Sequence, residues 1–330
     1  MEPKNVLLVC TPIENIREIE KRLSELFKII YQPDIKYSDF EENIFGEVQG
    51  IFTNPNRSKI YLSSDVFRKL PNLDFICTAS TGTVHIDINE CKKRDIKVIS
   101  LKNETDFLAQ VSSTSELAFT LMMSAIRKII PSVHDVYDGN WDCDKFIGRQ
   151  LGDLKIGILG MGRLGKIFSN YCNAFGSETC FYDPHVSSDD YPHARKYEQI
   201  SDFLSELDVL SIHIHASDEN RGFINKDILD MCKKDIVIVN TSRGEVINEK
   251  DIINHLYENP YSIYATDVIS DEINHKEKSP VYKYFQEQYP LGNIIITPHI
   301  GGMSEGARFL AYNKSVDLLE SYLMEKSRNA

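Results

Sequence analysis

The chain has 330 residues, a formal net charge of −12, and 42% apolar and 26% charged residues, enough for two domains with ordinary globular cores. The acidic balance excludes a general nucleic-acid binder, which needs Lys and Arg clustered against phosphate, and disfavours binding to an anionic membrane surface. No apolar run reaches the ~20 residues of a membrane span, and the opening MEPKNVLLVC reads as a strand rather than a signal peptide.

In chain order, Asn5 to Cys10 is a buried-type strand, and Pro12 to Phe27 carries Ile13, Ile16, Ile19, Leu23 and Leu26 at helical spacing. Gly50 to Thr53, Phe75 to Ala79 and Lys97 to Ser100 read as further strands, with helices at Asp65 to Leu70 and Ile86 to Arg94. Strands alternating with helices predict a mostly parallel sheet. Phe107 to Ile130 reads as one long helix stopped by Pro131, packed at a domain or subunit interface. The seven cysteines form no C-x-x-C pair, so neither a metal site nor a disulfide framework is expected, and free thiols in a reducing cytoplasm are.

The second half begins with a short apolar strand ending in G-x-G-x-x-G: Gly160, Gly162 and Gly165. A helix follows to Phe175, then a strand, Glu178 to Tyr182, ending in Asp183, 18 residues past Gly165. In a dinucleotide fold the first glycine makes the turn, the second lets a pyrophosphate approach, and the third packs helix on strand. The acid on the second strand fits an adenosine ribose and favours NAD. Against a 2′-phosphate, each unit-charge pair at 4 Å costs about 4 kcal/mol at a dielectric of about 20. Strands at Val209 to Ile214, Ile236 to Thr241, Ile263 to Val268 and Asn293 to Thr297 complete this half. Helices are expected at Lys226 to Cys232, Glu249 to Tyr257 and Ser304 to about Met324. Ser270 to Gly292 is polar, a loop or short helices.

Ligands of doubly wound sheets sit at the carboxyl ends of strands. Arg243, Glu272 and His299 all fall just past such ends. Singly, each has a plainer reading: a surface ion-pair residue, a solvated loop acid, a capping histidine. Together, beside a nicotinamide site, they suit hydride transfer at a carbon bearing a hydroxyl. A histidine can take the hydroxyl proton near neutral pH, a carboxylate can orient its ring, and a guanidinium can pair with a substrate carboxylate in two-pronged fashion.

GMGRLG with Asp183, NTSRGEVI (240–247), Asp267 with Glu272 in DVISDE, TPHIGG (297–302), GNW (139–141) and GTVHID (82–87) together resemble the D-isomer-specific 2-hydroxyacid dehydrogenases, of the phosphoglycerate dehydrogenase type. The resemblance covers nearly the whole chain. It implies two doubly wound α/β domains, a Rossmann NAD-binding domain (105–297) inserted into a flavodoxin-like substrate domain (1–104 and 298–330). It implies catalytic Arg243, Glu272 and His299, with Arg243 also binding substrate. The cofactor set is Gly160, Gly162, Arg163, Leu164 and Gly165 at the pyrophosphate, Asp183 on the ribose, Asp267 near the carboxamide, and Thr241, His213 and His215 lining the site. Thr81 and Gly82 would hold the substrate carboxylate through backbone amides. Arg57 and Lys59 are either phosphate contacts or solvated loop charges. The expected enzyme is a cytoplasmic homodimer, with the connector helix at the interface, acting on a small 2-hydroxy or 2-oxo acid, phosphorylated or not. Three positions depart from the family pattern: Val84, His215 and Ile273. Two rival readings share the fold: an NAD(H)-sensing, corepressor-like scaffold and a formate-type dehydrogenase.

Overall fold

Residues 5–41, 43–55, 60–290 and 292–329 are described by a computed structural model of the chain. They divide into two compact units. One runs to Val111 and resumes at Ser304; the other is Ser112–Met303.

In the first unit, β1 (Val6–Val9), β2 (Lys28–Tyr31), β3 (Val48–Thr53), β4 (Phe75–Thr78) and β5 (Lys97–Ser100) form one parallel sheet in the order 2-1-3-4-5. This is the flavodoxin-like order. Every residue of β1 and β4 is buried, as a parallel sheet covered on both faces requires. Helix Arg17–Leu26 buries Ile19 and Leu23, one turn apart. On that same face Tyr312, Val316 and Leu319, from helix Glu305–Asn329, pack with Phe52, Phe75 and Cys77. Each such large apolar side chain contributes about 1.5–3 kcal/mol by leaving water. The long helix starts beside the carboxyl edge of the sheet, where the Tyr312 and Thr11 hydroxyls lie 2.6 Å apart. It ends beside the amino edge, where Tyr322 and Lys326 reach Asp74.

The second unit holds β6 (Lys155–Leu159), β7 (Glu178–Tyr182), β8 (Arg195–Lys196), β9 (Val209–Ile212), β10 (Val237–Asn240), β11 (Ile263–Thr266) and β12 (Ile294–Ile296). All are parallel, in the order 12-11-10-9-6-7-8. Counted from β6 this is the Rossmann order, 3-2-1-4-5-6, with a seventh strand added, and the direction of winding reverses between β6 and β9.

Several elements differ from expectation, β8 and helix Ile200–Glu206 among them. β2 was not expected. It is a short edge strand that starts with an exposed lysine and is nowhere fully buried, and its apolar run is only the three residues Ile29, Ile30 and Tyr31. The expected helix from Phe107 to Ile130 is three helices, Thr105–Leu108, Ser113–Ile126 and Ile129–Tyr137. The break is Lys128, whose φ of 53° leaves the helical region. Pro131 is not a stop. It sits in the first turn of the last of these helices, where a missing N–H breaks no bond. Helix Ser113–Ile126 packs into the core of its own unit: Leu121, Met122, Ala125 and Ile126 are buried with Ile156, Val239 and Ala265. Within Ser270 to Gly292, helix Pro280–Gln288 forms, capped by the Ser279 hydroxyl accepting from the Tyr282 N–H. No helix among the described residues is long and apolar enough to cross a membrane.

Candidate active site

At the switch point Gly160 has φ +93°, and a Cβ there would come within 3.0 Å of the His213 and Ile214 backbone, so only glycine fits between β6 and β9. A Cβ on Gly165 would strike the Gly160 carbonyl, whereas nothing lies within 4 Å of one on Gly162. The third glycine thus closes helix on turn, and the second leaves the open approach a pyrophosphate needs. Helix Arg163–Ala174 starts here, and its first-turn N–H groups have no intrahelical acceptor and favour an anion. Burial lowers the pKa of the Arg163 guanidinium below its usual value.

Asp183, just past β7, accepts from the Met161 N–H (2.9 Å) through one oxygen and from the His185 N–H (2.8 Å) through the other. It is thereby fixed beside the glycine turn. His213, past β9, lies 2.9 Å from the Ser211 hydroxyl and packs on the Phe168 ring; burial pushes its pKa down to about 4. His215 is exposed. The Thr241 hydroxyl, past β10, is buried without a hydrogen-bond partner among the described residues. An open glycine turn, a braced acid on the next strand and an unspent hydroxyl fit a dinucleotide. Replacing Asp183 with serine removes the carboxylate that repels a 2′-phosphate. The kcat/KM ratio for NADPH over NADH is expected to rise about tenfold or more, measured with one oxo acid and both cofactors.

The remaining residues gather past β10, β11 and β12, which are neighbours in the sheet. Asn240 ends β10 fully buried. Its Oδ1 accepts from the Ser242 N–H (3.0 Å) and hydroxyl (2.8 Å), and its Nδ2 donates to the Arg243 carbonyl (3.1 Å). The loop carrying Arg243 is thus stapled to the strand beneath it. The guanidinium donates to the Ser242 carbonyl (2.6 Å) and, among the described residues, pairs with no carboxylate. Gly244 lies against the Ile269–Ser270 backbone with no room for a Cβ. That contact seats the arginine loop on the loop bearing Glu272. The second loop is held from below by Glu249, which accepts from the Ser270 N–H (2.8 Å) and the Ser279 hydroxyl (2.7 Å).

His299 and Glu272 touch directly: the imidazole Nδ1 hydrogen-bonds the carboxylate Oε1. This fixes Nδ1 as the donor and leaves Nε2 as the free ring nitrogen. The backbone at His299 is left-handed, φ 54°, uncommon for a residue with a side chain. Asp267 holds it there. Its carbonyl accepts from the His299 N–H (3.0 Å). Its carboxylate accepts from the Thr297 hydroxyl (2.6 Å) and the N–H groups of Ile300 (2.8 Å) and Gly301 (2.7 Å). Burial raises the pKa of that carboxyl, and the hydrogen bonds from Thr297, Ile300 and Gly301 oppose the rise.

The second unit therefore brings together Arg243, Glu272, His299 and Asp267, with Gly160, Gly162, Gly165, Asp183, Thr241 and His213 along the same carboxyl edge. Thr81 and Gly82 lie past β4 in the first unit. Arg57 and Lys59 fall outside the described residues. Sequence reasoning missed the supporting residues Asn240 and Glu249. The available signal was a polar residue ending an apolar strand in the first case, and an acid opening a helix after Asn248 in the second.

An open glycine turn, a braced acid beside it and a histidine hydrogen-bonded to a glutamate lie along one carboxyl edge of a Rossmann-order sheet. Fold and site together define a protein of the NAD-binding Rossmann class. The family model described as D-isomer specific 2-hydroxyacid dehydrogenase, NAD binding domain, matches residues 119–301, and its catalytic-domain counterpart matches residues 7–106. The chain belongs to the D-isomer specific 2-hydroxyacid dehydrogenases. It is 28% identical over 309 residues to D-3-phosphoglycerate dehydrogenase of Archaeoglobus fulgidus, covering 92% of this chain and 54% of that one. It is 26% identical over 313 residues to hydroxypyruvate reductase of Blautia hydrogenotrophica, covering 92% and 91%. The chain thus spans about half the length of the first relative and nearly all of the second. D-lactate dehydrogenase from Aquifex aeolicus, solved with NAD and lactic acid, shares the fold: TM-score 0.81, 24% identity, covering 98% of this chain and 97% of that one.

Proposed function

We propose that the chain reduces a small 2-oxo acid to the D-2-hydroxy acid, and catalyses the reverse, with His299 as acid and base. The observation that carries this reading is the His299–Glu272 pair. With Nδ1 committed to the carboxylate, Nε2 is left to give a proton to the carbonyl oxygen or take one from the hydroxyl. Bound NAD supplies the hydride acceptor, and NADH the donor. Arg243 pairs with the substrate carboxylate and polarises the reacting carbonyl, a task for which its guanidinium is unspent by any acid among the described residues. The backbone amides of Thr81 and Gly82, past β4, are assigned to a substrate carboxylate on the family resemblance. Thr241 and Asp183 serve the cofactor, and Asp267 serves it through the loop it shapes. An anionic substituent such as phosphate falls to Arg57 and Lys59.

The test is NADH oxidation against pyruvate, glyoxylate, hydroxypyruvate, phosphohydroxypyruvate and branched 2-oxo acids. Turnover of one of them supports the reading, and a preference for the phosphorylated one supports the role of Arg57 and Lys59. Tight NADH binding with no turnover of any would leave the NAD(H)-sensing scaffold in its place.

The same reading makes the chain a cytoplasmic homodimer. Helix Ile129–Tyr137 and the segment after it expose Val133 (63%), Tyr137 (87%), Trp141 (89%) and Ile147 (72%), large apolar side chains of the kind that mark an interaction face when they gather on one surface. A second copy, meeting this face with the same face, is the occupant proposed. Val133→Glu is expected to convert the dimer to monomer in sedimentation equilibrium. A wild-type protein that sediments as a monomer at micromolar concentration would remove the proposal.

A further inference from the structure

The loop past β4 contains a hydrogen-bond chain whose direction is forced. The Ser80 hydroxyl donates to the Gly82 carbonyl at 2.6 Å. A hydroxyl has one proton, so the 3.2 Å contact between Thr78 and Ser80 is donated by Thr78. The Thr78 proton is then spent, and its 3.3 Å contact with His85 Nε2 is donated by the imidazole. The ring is fully buried and burial pushes its pKa down to about 3, so it is neutral and has only the Nε2 proton. Nδ1 is left with a lone pair, and Nδ1 is the atom that is buried without a partner. The proton count gives the tautomer, and in it the unpaired Nδ1 is an acceptor.

The chain ends on the carbonyl of the peptide between Gly82 and Thr83. Among the described residues the N–H groups of Thr81, Gly82 and Thr83 have no acceptor within the protein. The exit of the loop is fixed separately. The Ile86 N–H donates to the Thr83 carbonyl (3.0 Å), the Leu62 N–H to the His85 carbonyl (2.8 Å), and the Asp87 N–H to the Leu62 carbonyl (2.9 Å).

We infer that His85 is a positioning residue for the substrate carboxylate. Through Thr78 and Ser80 it pulls the Gly82 carbonyl inward and keeps the neighbouring amide N–H groups turned outward as a pre-set anion cradle. His85 touches no substrate; it sets the loop that does. The inference rests on the assignment of Thr81 and Gly82 to the carboxylate. The residues involved also distinguish this cradle from a bare glycine turn, in which nothing would hold the carbonyl against an approaching anion. A pre-set loop lowers the ordering cost of binding.

The test uses the full-length enzyme and compares Thr78→Val, Thr78→Ser, Ser80→Ala and His85→Asn with wild type. Thr78→Val keeps the volume and removes the hydroxyl; Thr78→Ser keeps the hydroxyl. Thr78→Val, Ser80→Ala and His85→Asn are expected to raise KM for the 2-oxo acid by about five- to thirtyfold, with KM for NADH and kcat changed by less than about twofold. Thr78→Ser should stay near wild type. A merely structural role would lower Tm and active fraction in all variants without this split. Unchanged oxo-acid KM in a folded Thr78→Val and Ser80→Ala overturns the inference while leaving the enzyme reading intact. A wild-type protein with no turnover of any 2-oxo acid overturns both.

Discussion

Replacing His299 with asparagine is expected to lower kcat by about 10²–10⁴-fold, the usual contribution of a positioned acid–base group, while the Kd for NADH, read by fluorescence titration, stays within about twofold. Asparagine is the substitution of choice because the backbone at this position is left-handed, and asparagine is among the few residues with a side chain that enter that region readily. An alanine variant would mix lost chemistry with a displaced loop. The Asp267 clamp, which fixes the loop through three donors to one carboxylate, should survive the asparagine change, so the Thr297–Gly301 backbone stays in place. Retained turnover within tenfold of wild type would mean that the proton comes from elsewhere, and the His299–Glu272 contact would have to be read as structural.

The second large effect belongs to Arg243. Arg243→Lys keeps the charge and loses the planar fork, so kcat/KM for the oxo acid is expected to fall about 10²–10³-fold. The reasoning is geometric. Asn240 staples the Arg243 carbonyl and the Ser242 N–H, so the backbone at this position is set before any ligand arrives. The guanidinium then donates to the Ser242 carbonyl with one nitrogen, which directs the remaining donors. A lysine ammonium reaching from the same Cα has three donors on a single rotating nitrogen, and cannot both hold that carbonyl and grip a carboxylate side-on. Stopped-flow single turnovers would separate the two losses expected: weaker oxo-acid binding and slower chemistry. A lysine variant within tenfold of wild type would show that the fork is not used.

The nucleotide half was legible because each of its requirements is local. Three glycines at fixed spacing, an apolar strand before them and an acid at the next strand end fall within 30 residues, and the close approaches at Gly160 and Gly165 are the physical reason for that spacing. The strand ends carrying Arg243, Glu272 and His299 were legible for a related reason: strands covered on both faces of a parallel sheet are mostly apolar runs, so the polar residues after each run stand out. What was not legible is tertiary. Lys128 and Pro131 look like a helix end in sequence, yet the chain turns at the lysine and starts again through the proline. β2 and β8 are edge strands of four and two residues, specified by backbone pairing to β1 and β7 rather than by side-chain pattern. Asn240 and Glu249 carry no motif of their own; their roles come from which loops the sheet order places above them.

Trp141 is the only tryptophan in the 330 residues, and in the single chain its side chain stands 89% open to water on the segment that follows helix Ile129–Tyr137. The protein therefore carries its own optical reporter at the surface where a second copy is proposed to dock. Emission from an indole in water lies to the red of emission from one in an apolar contact, so dilution through the association range would shift the spectrum without any added label. The same signal would let assembly be timed separately from catalysis.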